Sequence, residues 1–171
     1  MLSPDDQSIE VRLGARLRQL GMKLTLVESC TGGLMSYRVT SVPGSSEYFV
    51  GGCVAYSYEA KERLLGVEHK TLLQHGAVSR QTVLEMARGA RTHLRSGTDI
   101  EKVMAAAITG IAGPGGGMPH KPVGLVWAAI CGPGYEAAWQ FNFAGGREAV
   151  REAAAEATLQ KLLEVLDGQH T

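Results

Sequence analysis

The sequence predicts an α/β fold: one three-layer α/β/α domain over residues 1–171, with a mixed, mostly parallel sheet of about five strands and a C-terminal β-hairpin. Three observations predict it. Apolar runs of strand length alternate with segments whose apolar residues recur at helical spacing. The run over residues 102–109 is almost wholly apolar, as in a strand buried on both faces. The last two strand-like runs are joined only by Gly132-Pro133-Gly134, a hairpin connection that makes the sheet mixed.

The elements follow in order. Ser3-Pro4 reads as N-cap and first position of a helix with Ile9, Leu13, Leu17 and Leu20 on one face, ended by Gly21. Residues 23–27 alternate as a strand, and a helix is expected over 32–40. Val42-Pro43-Gly44-Ser45-Ser46 is a loop, and 50–56 a second strand. Short helices are expected at 59–65 and 70–74. Ser79 caps a longer one carrying Val83, Met86, Ala87, Ala90 and Leu94. After the strand at 102–109, a Gly/Pro-rich loop fills 110–122. Strands at 123–131 and 135–143 and a helix over 147–166, with Val150, Ala154, Ala157 and Leu162 inward, close the chain. There is no internal repeat and no linker.

Composition excludes several classes of function. Lys+Arg and Asp+Glu number 17 each, against a general nucleic-acid footprint. No apolar run approaches the roughly 18 residues of a membrane span. The polar start, Met1-Leu2-Ser3-Pro4-Asp5-Asp6, is unlike a signal peptide, and the 3 cysteines make no CxxC spacing, so reduced thiols in a cytoplasm are expected. The 5 histidines form no metal-ligand pattern, and no metal is expected.

The segment most informative about chemistry is Val27-Glu28-Ser29-Cys30-Thr31-Gly32-Gly33. It falls where a strand runs into a helix, so the Ser29 hydroxyl would lie beside amides without helical acceptors. Gly32 and Gly33 would let a ligand approach that backbone. A nucleophile beside N–H donors is half of an acyl-transfer site, and the amides of Cys30, Thr31, Gly32 and Gly33 are the candidate oxyanion donors. The plain alternative is a Ser/Thr-rich helix cap. Downstream, Tyr56-Ser57-Tyr58-Glu59-Ala60-Lys61 ends the second strand. With Ser57 as N-cap, Lys61 falls near the fourth helical position, where the helix dipole and partial burial disfavour its ammonium. A lysine that loses its proton there can act as a general base; the alternative is an ordinary surface lysine.

Taken in order, Glu28-Ser29-Cys30-Thr31-Gly32-Gly33, Val42-Pro43-Gly44-Ser45-Ser46, Tyr56-Ser57, Ala60-Lys61, His75-Gly76-Ala77-Val78-Ser79, Thr109-Gly110-Ile111-Ala112-Gly113-Pro114 and Lys121-Pro122-Val123-Gly124 resemble the CinA C-terminal domain family, from about Leu20 to Leu166. Stand-alone members of that family include nicotinamide-mononucleotide deamidases. The resemblance implies Ser29 as nucleophile with Tyr56 and Lys61 as partners, and an amidohydrolase that converts nicotinamide mononucleotide to nicotinate mononucleotide and ammonia. Tyr58 stands where the family pattern has Asn, and its spacing from Lys61 puts the two on one helix face. The resemblance favours Tyr56 as the catalytic tyrosine; helical spacing alone favours Tyr58.

The glycine-rich loop after the apolar strand is the candidate phosphate site, through Thr109, Gly110, Gly113, Gly115 and Gly116, because ligands collect beyond the carboxyl ends of strands and glycines let amides converge on an anion. It lacks the P-loop spacing. Arg147, after Gly145-Gly146 at a helix start, is a second phosphate candidate. No metal or organic cofactor is expected, since hydrogen bonds can activate an amide carbonyl. Two alternatives stay open: Cys30 as nucleophile, and a non-catalytic nucleotide-binding or interaction module. The expected partner is a small-molecule nucleotide, with neither nucleic acid nor membrane. Gly-rich strands and Tyr48-Phe49-Val50 suggest a homo-oligomer.

Overall fold

A largely apolar run, Val103–Gly110 (β3), is buried on both faces and forms the middle of the sheet. The computed structural model describes residues 7–168. Along the chain, helix α1 (Ile9–Leu20) leads into β1 (Lys23–Glu28), α2 (Leu34–Thr40), β2 (Phe49–Val54), α3 (Tyr58–Leu65), α4 (His69–His75) and α5 (Arg80–His93). After β3 come β4 (Leu125–Gly132), β5 (Tyr135–Asn142) and α6 (Arg147–Leu166). The sheet order is β2-β1-β3-β4-β5. β1 pairs in parallel with both β2 and β3, whereas β4 is antiparallel to β3 and β5. Four strands therefore point one way and only β4 opposes them, as the short Gly132–Gly134 turn requires.

Two apolar cores fill the space between the layers. α1, α2 and α6 cover one face, with Leu13, Leu17, Met35, Ala154 and Leu159 against Leu24, Leu26, Ile108 and Ile130. On the other face Leu65, Leu72, Val83 and Met86 from α3, α4 and α5 pack on Val27, Ala105, Ala107 and Ala129. Alternation along β1 thus divides its side chains between the two cores, and this decides where the site residues that follow it point. Small alanines on β3 let α5 approach closely.

Several sequence expectations shift. The expected start at Ser3-Pro4 lies outside the described residues; within them α1 begins at Ile9, after Ser8, and ends at a left-handed Gly21. α2 begins at Leu34 instead of Gly32, because Gly32 and Gly33 take φ of 62° and 101°, which no helix accommodates. β2 ends at Val54, freeing Ala55 and Tyr56 for the site, and β4 starts at Leu125. Ala157 is half-buried, while Thr158 and Leu159 point inward. Tyr48 belongs to the first core and is fully buried within the chain. Among the described residues no helix is long and apolar enough to cross a membrane.

Candidate active site

Parallel pairing puts the carboxyl ends of β1, β2 and β3 side by side, and the chain after each strand builds the site. Leu24, Leu26 and Glu28 alternate toward α2; Ser29, one residue on, turns to the opposite side, toward α3. There the Ser29 hydroxyl lies 3.2 Å from Lys61 Nζ, and both side chains are buried, Lys61 completely.

Local sequence explains how Lys61 reaches that point. Ser57 caps α3 by accepting from the Ala60 amide at 3.0 Å, which makes Lys61 the fourth helical residue. Helical side chains lean back toward the N-terminus. The Lys61 amine therefore returns to the carbonyls just before the helix and donates to Ala55 O at 2.7 Å and Tyr56 O at 3.2 Å. A neutral amine has two N–H bonds and one lone pair. As an ammonium Lys61 donates to all three; deprotonated, it gives its two N–H bonds to the carbonyls and turns its lone pair to the Ser29 hydroxyl. Burial brings Lys61 down from 10.5 to about 8, opposed only by attraction to the Cys30 sulfur.

Glu28 builds the turn beneath Ser29. Its carboxylate is fully buried and accepts five hydrogen bonds, from the amides of Gly33, Met35 and Ser36 and the hydroxyls of Thr31 and Ser36, at 2.7–3.0 Å. These donors include the otherwise orphaned amides at the start of α2, which is why a buried charge is tolerated there. From the other side Arg151 donates to Cys30 O at 3.2 Å and Thr31 O at 2.7 Å. The turn carrying Ser29 is thus clamped between a carboxylate and a guanidinium.

The candidate oxyanion donors divide. The Gly33 amide is committed to Glu28, and that of Gly32 donates to Ser29 O at 3.1 Å. The amides of Cys30 and Thr31 remain, both near the Cys30 thiol. Cys30 itself packs into the first core, and burial pushes its thiol up to about 11, unlike a thiolate nucleophile.

Tyr56 is largely exposed; its carbonyl orients Lys61, while its phenol accepts from Arg147 Nη2 at 3.0 Å. Tyr58 is half-exposed at the start of α3, with its hydroxyl near Gly76. Arg147 also donates to Gly113 O at 2.7 Å, so it ties the glycine-rich loop to Tyr56 across the front of the site. The Thr109 hydroxyl donates to Ala77 O at 2.9 Å. A Cβ on Gly110 would meet Val126 Cγ2 at 2.7 Å and Cys30 Sγ at 3.1 Å, so this glycine serves close packing. Gly115 and Gly116 are exposed at the loop's outer edge, apart from these contacts.

Glu28, Arg151 and the Ala55 carbonyl are the site groups not singled out from the sequence. An acid at the inward-facing end of the first strand was a signal for Glu28, and a second arginine one turn after Arg147 a signal for Arg151.

Comparison with known proteins agrees with this architecture. Residues 6–166 match the CinA C-terminal domain. A CinA-like protein of Geobacter sulfurreducens is 44% identical over 162 residues, covering 95% of this chain and 38% of that protein. One from Citrifermentans bemidjiense is 45% identical over 151 residues, covering 88% of this chain and 35% of its own length. The chain therefore spans less than two fifths of these curated relatives. Among solved structures, the competence/damage inducible protein CihA from Agrobacterium tumefaciens superposes with a TM-score of 0.84 at 37% identity, over 97% of this chain and 99% of that one. A competence-damaged protein (CinA) superfamily protein from Klebsiella pneumoniae gives 0.86 at 35% identity, over 94% and 96%. The chain belongs to the CinA C-terminal domain family.

Proposed function

We propose that the chain is an amidohydrolase that hydrolyses the carboxamide of nicotinamide mononucleotide to nicotinate mononucleotide and ammonia. The observation that carries it is the buried Ser29–Lys61 contact, with the Lys61 amine also held by the Ala55 and Tyr56 carbonyls. A lysine buried without a carboxylate partner is costly to a fold, and its retention beside a hydroxyl fits a general base. The substrate comes from the family resemblance; the carboxamide chemistry is what the dyad suits.

In this mechanism Ser29 Oγ attacks the carboxamide carbon as Lys61 takes its proton. The oxyanion is held by the Cys30 and Thr31 amides, each worth about 3 kcal/mol where geometry is good. Collapse breaks the C–N bond, and the proton on Lys61 leaves with the nitrogen as ammonia. Water then attacks the acyl-enzyme ester, Lys61 accepts its proton, and that proton returns to Ser29 as the carboxylate departs. Arg147 and the exposed glycines of the loop bind the 5′-phosphate, Arg147 exchanging its contacts with Gly113 and Tyr56 for the anion.

The test is ammonia release from the mononucleotide by purified protein. Stoichiometric ammonia and nicotinate mononucleotide are expected. Saturable binding of the mononucleotide without ammonia would instead make the chain a nucleotide-binding module.

A further inference from the structure

A second concave surface lies on the sheet face covered by α5, at the start of β4. It encloses about 490 Å³, within the range of small-molecule sites. Its functional lining is Arg80, Lys121, His75 and His120, with Trp127 and Gln140 beneath. None of its lining residues is acidic, in a chain with as many acids as bases. Antiparallel register sets Trp127 directly opposite Gln140, so an indole and a carboxamide stand side by side on one face. Trp127 is half-buried against the second core, which fixes the ring while leaving part of it open.

The polar groups around it are unspent. Among the described residues the side chains of Arg80, His75, His120 and Gln140 have no hydrogen-bond or ion-pair partner. Lys121 Nζ donates to the His75 carbonyl, which anchors the ammonium over the pocket and leaves it two further N–H donors. Unpaired donors of one sign above an aromatic floor are what an aromatic ring bearing an anionic group requires.

This surface is separate from the dyad. Ser29 follows β1 and Trp127 lies on β4, with β3 between them, a separation of roughly 10 Å at ordinary strand spacing. Thr109, whose hydroxyl is bonded to Ala77 O, lies on β3 between them.

We propose that this pocket is a second ligand site for a small aromatic anion of the nucleoside monophosphate class, its ring on Trp127 and its phosphate between Arg80 and Lys121. Gln140 bonds a polar edge of the ring. The proposal does not depend on the activity assigned to Ser29.

The chain has 2 tryptophans, so Trp139→Phe isolates the Trp127 fluorescence. In that background, adenosine monophosphate is titrated and the emission recorded, with adenosine and inorganic phosphate as parallel probes. Saturable quenching by the monophosphate is expected, with each fragment at least tenfold weaker. Arg80→Ala, an exposed substitution whose fold is checked by circular dichroism, is expected to weaken the monophosphate by roughly 10- to 100-fold. Adding Arg147→Ala, which removes the phosphate partner assigned to the dyad site, is expected to leave the affinity unchanged. No saturable quenching, unchanged affinity in Arg80→Ala, or an equal loss in Arg147→Ala would each overturn the proposal, the last by moving the ligand to the dyad site.

Discussion

Lys61 Nζ lies 3.2 Å from Ser29 Oγ and 2.7 Å from the Ala55 carbonyl, so the amine that faces the serine is oriented by backbone from its own end of β2. Backbone orientation is rigid: Ala55 N itself donates to Glu28 O at 2.9 Å, tying the lysine's anchor to the strand that precedes Ser29. The dyad is thus assembled by sheet pairing, with no third side chain needed to aim the base.

Ser29→Ala is expected to reduce turnover by several orders of magnitude while leaving mononucleotide affinity within a fewfold. Cys30→Ala, in contrast, should retain most activity, because that thiol is buried in the first core and held protonated. Steady-state ammonia release with ligand binding by calorimetry checks both. A dead Cys30→Ala beside an active Ser29→Ala would transfer the nucleophile to the cysteine.

The pH profile should carry the lysine. Only unprotonated Lys61 accepts the serine proton, and its value is lowered to about 8, so kcat/KM should rise with pH and level off above that point. Lys61→Arg, charged throughout, should be inactive from about pH 6 to 10. Stability follows the same sign. Between about 8 and 10.5 the unfolded chain binds the proton and the folded chain does not, so stability rises with pH across that window. Lys61→Met should remove this dependence in denaturant titrations.

Glu28→Gln should weaken both fold and turnover. The carboxylate accepts at both oxygens, and a carboxamide would turn an N–H against the amide and hydroxyl donors around it. A loss on the order of 2–3 kcal/mol is expected from chemical denaturation. Because the same residue holds the Ser29 turn, kcat measured well below the melting temperature should fall while mononucleotide affinity changes little.

Gly89→Ala should destabilise the packing of α5 on α3. A Cβ there would overlap the Leu65 carbonyl oxygen and lie 2.7 Å from its carbon, where α5 crosses the end of α3. Both partners are backbone, so relief needs the helices to separate, at a cost of about 1–3 kcal/mol. Thermal melts check it; an unchanged melting temperature would mean that α3 yields freely.

The substrate's phosphate gives a further test of the proposed activity. Nicotinamide riboside should be a poorer substrate than the mononucleotide by roughly 10- to 100-fold in kcat/KM. Arg147→Ala should shrink that preference, with riboside hydrolysis nearly unchanged. Equal kcat/KM for both substrates would remove the phosphate role from Arg147 and its loop.

Local physics was written in the sequence. Apolar spacing and capping residues placed the strands and most of the α-helices to within a few residues, and Ser57 as N-cap already put Lys61 at the fourth helical position. The short glycine-proline turn determined that β4 and β5 pair antiparallel. These are properties of neighbours along the chain, and a few residues suffice to encode them. What only the tertiary structure decided is nonlocal. Ser29 and Lys61 meet because β1 lies beside β2, a pairing that no periodicity specifies. The same packing turned the Tyr56 phenol to Arg147 and occupied the Thr109 hydroxyl with Ala77. A residue's type states what it can donate or accept; which partner takes it depends on segments far away in the chain, and only the folded sheet brings those within hydrogen-bond distance.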